Sequence, residues 1–322
     1  MFPSRPNLTI HFAHVAYRLA ERFALRDTGV NHFQTWNAEG TLARIGEADV
    51  LVLSGLWNDS LLAPASRLQF IQVPAAGYDQ FGLEALKTRG IRLANGAGIN
   101  KNAVSEHALA LILSFPRHLH TGRDRQHESH WRGMISDLSM REDELLGKTL
   151  LIYGLGSIGS RLAKLGRALD MRVIGIKRDT AHHDGSCHKV CPPGDFPALL
   201  PGADFLVLTC PLTTETANLI DAKALEAMSP NAYLINVARG GCVDQPALVN
   251  ALEDSQIAGA GIDTTVEEPL PRESPLWGLQ NVVVTPHTAG ETRRYEDNVI
   301  DILLDNLERL WSGETTLVNQ VI

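Results

Sequence analysis

The sequence predicts an α/β fold in which a doubly wound parallel sheet is inserted into a smaller α/β domain. Three observations carry this reading. From residue 148 onward, short apolar runs of strand character alternate with helical runs. The loop Gly154-Leu-Gly156-Ser-Ile-Gly159 follows the first of those strands and opens a helix. The tail 291–311 has the apolar spacing of an amphipathic helix, and 317–322 has the character of an extended segment returning to the first domain.

In the first half, strands are expected over 8–15, 49–53, 69–73 and 91–94, with a helix over 83–88. A long apolar-periodic helix over about 103–120 leads into a polar, His-rich excursion reaching residue 144, which carries Trp131, Met134 and Met140. The second half reads as strand 149–153, helix 157–169, strand 172–176, strand 205–209, helix 222–228, strand 233–237, helix 245–254, strand 257–262 and strand 282–285. That makes a six-stranded sheet of Rossmann type, held within a flavodoxin-like α/β domain. Residues 1–101 with 289–322 are assigned to the substrate-binding domain and 102–288 to the dinucleotide-binding domain. The least regular stretch is 181–195.

The 322 residues are 44% apolar and 20% charged, an ordinary composition for about two globular domains. A formal net charge of −8 and the lack of any Lys/Arg block argue against nucleic acid or a membrane as partner. The N-terminus has no apolar core followed by a cleavage site, and eighteen apolar residues never run together. A cytoplasmic protein is expected. Cys187, Cys191, Cys210 and Cys242 are too few for a disulfide framework in a chain of this length and are read as reduced thiols.

Three later strands are each followed by a residue able to do chemistry: Arg239, Glu268 and His287. In an open parallel sheet the C-terminal strand ends border the ligand crevice, so distant residues can meet over one substrate. An imidazole exchanges protons near neutrality, and a carboxylate beside it favours the charged ring, which makes His287 a proton donor. A guanidinium presents a planar fork suited to a carboxylate, and its permanent charge polarises a nearby carbonyl. The trio therefore fits a 2-oxo or 2-hydroxy acid.

Each glycine of the loop has a task. Gly154 permits the tight turn, Gly156 lets a pyrophosphate approach the backbone, and Gly159 allows close helix packing. Ser157 and Ile158 open the helix, whose N-terminus offers free N–H groups to an anion. About twenty residues on, where NAD-binding sites usually carry an acid for the ribose 2′-hydroxyl, the strand instead runs into Lys177-Arg178. Two cations suit a 2′-phosphate, so NADP(H) is expected to be preferred, with NAD(H) possible; a solvated basic turn indifferent to the cofactor is the competing reading.

These features, with Cys210-Pro-Leu-Thr213, Asn236-Val-Ala-Arg239-Gly, Gly261-Ile-Asp263, Glu268-Pro-Leu-Pro271 and Thr285-Pro-His287-Thr-Ala-Gly290, resemble the D-isomer-specific 2-hydroxyacid dehydrogenase family. Pro74-Ala-Ala-Gly77-Tyr-Asp79, Asn95-Gly-Ala-Gly98 and Val104-Ser-Glu106-His107 extend the likeness over nearly the full length. The resemblance implies a glyoxylate/hydroxypyruvate reductase-like enzyme, moving a hydride between a nicotinamide cofactor and a small 2-oxo or D-2-hydroxy acid. It implies that His287 is the acid/base, Glu268 its partner, and Arg239 the group that binds and polarises the oxo-acid end. Cys210, Pro211, Thr216, Val237, Ala238, Asp263, His287, Ala289 and Gly290 would add cofactor contacts, Asp263 facing the carboxamide. Backbone N–H groups around Ala75, Ala76 and Gly77 would hold the substrate carboxylate from the other domain, so that domain closure assembles the site.

Two departures stand out. Thr264-Thr265 replaces the family's usual Val-Phe pair, which puts the packing onto the Glu268 loop in question, and Lys177 replaces an acid. Glu106 and His107 read either as packing or as contacts to the site. The His182, His183, Cys187, His188 and Cys191 cluster has no paired CxxC spacing, so no metal is assigned. Val73 stands where phosphoglycerate-type members carry arginine, which leaves glyoxylate and hydroxypyruvate in front. Leu56, Trp57 and Tyr78 are expected to border the side-chain pocket, and their bulk equally suits an apolar or aromatic 2-oxo acid. By resemblance the 121–144 excursion supports a two-fold homodimer; an intramolecular cap is the alternative. The runner-up function is a dinucleotide-sensing, corepressor-like module without turnover, which fold alone does not separate from an enzyme.

Overall fold

The computed structural model describes residues 2–322. The chain divides into two compact units: one runs up to Asn100 and resumes over Thr292–Ile322, and the other is Lys101–Glu291.

The first unit has five parallel strands: β1 (Thr9–Ala13), β2 (Asn31–Thr35), β3 (Val50–Leu53), β4 (Phe70–Gln72) and β5 (Arg92–Ala94). Their order, β2-β1-β3-β4-β5, is the flavodoxin arrangement. Helices α1 (Leu19–Ala24), α2 (Ala38–Arg44) and α3 (Leu83–Thr88) connect them. β2 was not expected from sequence. Its NHFQT run sits at the sheet edge, mostly half-exposed, and so carries little apolar alternation. The C-terminal segment returns as expected, with Val321 N–H donating to Leu93 O at 2.8 Å and Asn95 N–H to Asn319 O at 3.0 Å.

The second unit opens with α4 (Lys101–Ser114) and α5 (Leu119–His127). The single helix expected over 103–120 is broken because Pro116 restricts the residue before it, and His118 takes a left-handed φ of 50° to start α5. After α5 comes an arm on which Trp131, Met134, Leu138 and Met140 are all exposed.

Then follow β6 (Thr149–Tyr153), α6 (Ser157–Ala168), β7 (Arg172–Ile176), β8 (Lys189–Cys191), α7 (Phe196–Leu199) and β9 (Phe205–Leu208). The unit closes with α8 (Ala222–Ala227), β10 (Tyr233–Asn236), α9 (Gln245–Glu253), β11 (Gly259–Ile262) and β12 (Val282–Val284). The last helix, α10 (Tyr295–Trp311), belongs to the first unit and starts four residues later than the tail was expected to.

All seven strands are parallel, in the order β12-β11-β10-β9-β6-β7-β8. The six-stranded expectation is therefore corrected by one. β8 lies within the stretch read as irregular; it is three residues long, with only Cys191 buried, too short to show a period. Apolar residues on both sheet faces form two separate clusters, as a parallel sheet requires. No helix among the described residues is long and apolar enough to cross a membrane.

Candidate active site

Because every strand of the larger sheet runs the same way, the residues that follow them gather along one edge. Across neighbouring strands the edge carries His287 after β12, Asp263 and Glu268 after β11, Arg239 after β10, Cys210 after β9, the glycine loop after β6, and Lys177 after β7. The chain reverses its winding between β9 and β6, which is where a dinucleotide binds in this architecture.

The glycine loop is shaped by contact. Gly154 has φ 109°, and a Cβ there would stand 2.8 Å from Cys210 N. At Gly159 a Cβ would meet Gly154 O at 2.1 Å, whereas one at Gly156 would face open space. Thr209 Oγ1 donates to Gly154 O at 2.6 Å and pins the turn. No side chain caps α6, so its first amides stay available to an anion. Beside it lies a hollow of about 410 Å³ lined by Gly156, Ser157, Ser160, Lys177, His182, His183 and Asp184. An open glycine, an uncapped helix end and an adjoining hollow with a cation fit a nicotinamide dinucleotide.

Lys177 is half-buried with its Nζ donating to His182 O, and Arg178 is exposed. Asp179, the acid that follows in sequence, is paired with His182 Nδ1 at 2.6 Å, and Asp184 is paired with Lys164 at 2.8 Å. Further along, Thr216 Oγ1 donates to Pro211 O and accepts from Thr213 N–H, both at 2.7 Å, closing the loop after β9. A hydrogen bond with the Cys242 thiol, together with burial, pushes the Cys210 thiol up, so it stays neutral.

Asn236, buried and given no role of its own by the sequence motif it opens, shapes the turn that carries Arg239. Its amide donates to Arg239 O at 3.0 Å while its carbonyl accepts Ala238 N–H at 3.0 Å. Arg239 itself is exposed, with Nη1 donating to Ala238 O at 2.8 Å. The next residue, Gly240, is packed so tightly that a Cβ would lie 2.0 Å from Thr265 C. The arginine turn thus rests directly on the turn that leads to Glu268.

Thr265 answers the question raised by the Thr264-Thr265 departure. Its N–H donates to Glu268 Oε1 at 3.1 Å and its hydroxyl to Glu267 O at 2.6 Å, ordering the acidic loop. Thr264 is buried, with its hydroxyl unpaired. The other oxygen, Glu268 Oε2, lies 2.7 Å from His287 Nδ1. Both residues border a mainly apolar cavity of about 450 Å³ walled by Pro269, Leu270, Trp277 and Val284.

Asp263 is 2% exposed, and its carboxylate accepts the Thr285 hydroxyl at 2.6 Å, Thr288 N–H at 3.0 Å and Ala289 N–H at 3.1 Å. It organises the backbone around His287. His107, left open between two readings, bonds through Nε2 to Thr285 Oγ1 at 2.9 Å. The Thr285-Pro-His287 spacing gives no sign of this task for the Thr285 hydroxyl.

The remaining predicted residues lie in the first unit. Ala76 is exposed, Ala75, Gly77, Tyr78 and Leu56 are half-buried, and the N–H groups of Ala76 and Gly77 have no protein acceptor among the described residues. Trp57 packs against Phe81 with ring centroids 4.9 Å apart, and its indole N–H donates to Asp59 at 3.2 Å. In the cysteine-histidine stretch, His188 Nδ1 accepts Val173 N–H at 3.0 Å, His183 Nδ1 accepts Gly185 N–H at 3.1 Å, and Cys187 and Cys191 are buried.

A family model described as "D-isomer specific 2-hydroxyacid dehydrogenase, NAD binding domain" matches residues 109–289. A glyoxylate reductase of Pyrococcus furiosus is 33% identical, the alignment covering 88% of this chain and 86% of the relative. Glyoxylate/hydroxypyruvate reductase B of Pectobacterium carotovorum is also 33% identical over 92% and 91% of the two chains. The crystal structure of an NADPH-dependent glyoxylate/hydroxypyruvate reductase of Sinorhizobium meliloti, in complex with NADP and malonate, superposes with TM-score 0.79 and 27% identity, covering 99% of this chain and 97% of that one. By the family model over residues 109–289 and these relatives, the chain belongs to the D-isomer-specific 2-hydroxyacid dehydrogenase family.

Proposed function

We propose that the protein reduces small 2-oxo acids, glyoxylate and hydroxypyruvate foremost, to D-2-hydroxy acids, and uses NADPH in preference to NADH. The observation that carries this reading is the 2.7 Å contact between His287 Nδ1 and Glu268 Oε2, on a loop adjoining the Arg239 turn. The names of the relatives support the substrate class.

When bound, the nicotinamide supplies a hydride to the substrate carbonyl carbon. Glu268 accepts the Nδ1 proton of His287, which leaves Nε2 as the atom that gives its proton to the substrate oxygen. Arg239 binds the carboxylate and offsets the charge growing on that oxygen. Ala76 and Gly77 supply further N–H donors for the carboxylate, and Leu56 and Tyr78 contact the substrate side chain. In the reverse direction His287 takes the proton back.

The cofactor contacts are assigned to Gly154, Gly156, Ser157, Ile158 and Gly159 for the pyrophosphate, and to Lys177 and Arg178 for the 2′-phosphate. Cys210, Pro211, Thr216, Val237, Ala238, Asp263, Ala289 and Gly290 line the rest of the track. Residues up to 100 with 292–322 form the substrate-binding domain and 101–291 the dinucleotide-binding domain. Exposed Trp131, Met134, Leu138 and Met140 support a two-fold homodimer built through the arm, in a cytoplasmic enzyme. A monomer by light scattering would remove that assembly.

The deciding experiment is a steady-state screen of glyoxylate, hydroxypyruvate, pyruvate and phenylpyruvate with each reduced cofactor. Turnover with the two small acids, faster with NADPH, is the expected result. Inertness across the panel with tight cofactor binding would favour a dinucleotide sensor instead.

A further inference from the structure

His287 adopts a left-handed backbone, φ 55°, a conformation that a non-glycine residue avoids unless its surroundings impose it. Its own N–H is held by Asp263 O at 2.8 Å and Thr285 O at 3.0 Å. The two amides that follow, Thr288 and Ala289, are held by the two oxygens of the Asp263 side chain. Asp263 thus clamps the backbone on both sides of the imidazole. A buried carboxylate cannot hold such a position without enough donors, and its third donor is the Thr285 hydroxyl.

The direction of that hydroxyl is fixed by counting protons. Thr285 has one, and it points at Asp263, which when ionised only accepts. The lone pair of Thr285 Oγ1 must therefore accept from His107 Nε2 at 2.9 Å, so Nε2 is the protonated nitrogen of His107. The same nitrogen lies 3.6 Å from Asp263 Oδ1. His107 stands on α4, which packs against the sheet where Leu111 meets Gly261; a Cβ added at Gly261 would lie 3.1 Å from Leu111 Cβ. The chain of contacts runs from a packed helix, through two side chains, to the backbone that aims His287.

We propose that His107 is a positioning residue for catalysis: acting through Thr285 and Asp263, it holds the left-handed loop that directs the His287 imidazole. This rests on the assignment of His287 as the proton donor. His107 touches no reacting atom, so removing its N–H loosens the aim of His287 while the glycine loop and the Arg239 turn, which lie outside this chain of contacts, stay in place.

The test uses the full-length protein and the variants His107→Leu, His107→Gln, Thr285→Val and the Leu/Val double. His107→Leu and Thr285→Val should each lower kcat by about tenfold to a hundredfold, the scale of a small misplacement at the reacting atoms, with the KM for the 2-oxo acid within about twofold. His107→Gln, whose amide still donates, should recover most of the lost kcat. The double variant should be no worse than the worse single, because both break one chain of contacts. Hydrogen exchange at the His287, Thr288 and Ala289 amides should quicken in the Leu and Val variants and not in the Gln variant. Wild-type kcat and exchange in His107→Leu, fully additive losses, or a Gln variant as impaired as Leu would each overturn the proposal. If the unaltered protein turns over no 2-oxo acid, the functional assignment fails, and the exchange measurement still decides whether His107 holds this loop.

Discussion

His287 and Glu268 are joined by one carboxylate used at both ends: Oε2 meets the imidazole Nδ1 at 2.7 Å, and Oε1 accepts the Thr265 N–H at 3.1 Å. The second bond fixes the acid, and the fixed acid orients the ring. Losing the ring and losing its partner should therefore have different effects.

His287→Ala removes the proton donor and should lower kcat by about 10²- to 10⁴-fold while leaving cofactor affinity unchanged. Glu268→Gln keeps the shape of the acid and removes its charge, so kcat should fall by a smaller factor. Stopped-flow turnover together with NADPH fluorescence titration reads both quantities. Near-normal kcat in His287→Ala would remove this residue from the mechanism.

A methyl group is enough to test how the arginine turn and the acidic loop depend on each other. In Gly240→Ala the new Cβ would lie 2.0 Å from Thr265 C and 2.1 Å from Thr265 O, and backbone on both sides has nowhere to go. Overpacking of this kind costs about 1–3 kcal/mol or more, so a lower Tm is expected together with loss of activity. Gly156→Ala, where the Cβ faces open space, should leave Tm unchanged and weaken cofactor binding instead. Calorimetry and titration on the two variants separate packing from ligand approach.

Much of this arrangement was legible because parallel strands buried on both faces read as continuous apolar runs, and each is followed by a short loop with a distinctive residue. Arg239, Glu268, His287 and the glycine loop could be named from that pattern. The parts that were not legible are those with little apolar signal or with roles set by contact. β2 and β8 are polar or very short, and Pro116 interrupts a helix whose periodicity continues across it. Asn236 and Thr285 act through hydrogen bonds to atoms close in space, which spacing does not announce.

Cofactor choice should turn on one side chain after β7. Lys177 borders the hollow next to Gly156 and Ser157, whereas Asp179 is tied to His182 and Asp184, which lines the same hollow, is paired with Lys164. Lys177→Asp replaces a charge that attracts a 2′-phosphate with one that repels it and can accept from a ribose hydroxyl. The ratio of kcat/KM for NADPH over NADH should fall by at least about tenfold, equivalent to about 1.4 kcal/mol. An unmodified protein that prefers NADH would defeat this account.

Stability should depend on pH through a histidine far from the chemistry. His11 lies wholly buried on β1, its ring stacked on Phe33 at 4.4 Å. Burial, with Arg44 nearby, lowers its pKa from 6.5 to about 4. The hydrogen bonds explain why a second proton is unwelcome. Thr41 Oγ1 donates to Asn37 O, so Thr35 Oγ1 gives its proton to Thr41 and accepts from His11 Nε2 at 2.7 Å, which leaves Nδ1 bare and without a partner. The unfolded chain takes up a proton near pH 6.5 and the folded chain only near 4, so stability falls as pH drops through that window. Between pH 6.5 and 4.5 the loss from this group should be about 2 kcal/mol, since one pKa unit corresponds to about 1.4 kcal/mol. Urea unfolding of the unaltered protein and of His11→Phe, which keeps the stacked ring and cannot titrate, should show the steeper decline only in the former. Parallel curves for the two proteins would mean that acid acts on the fold elsewhere.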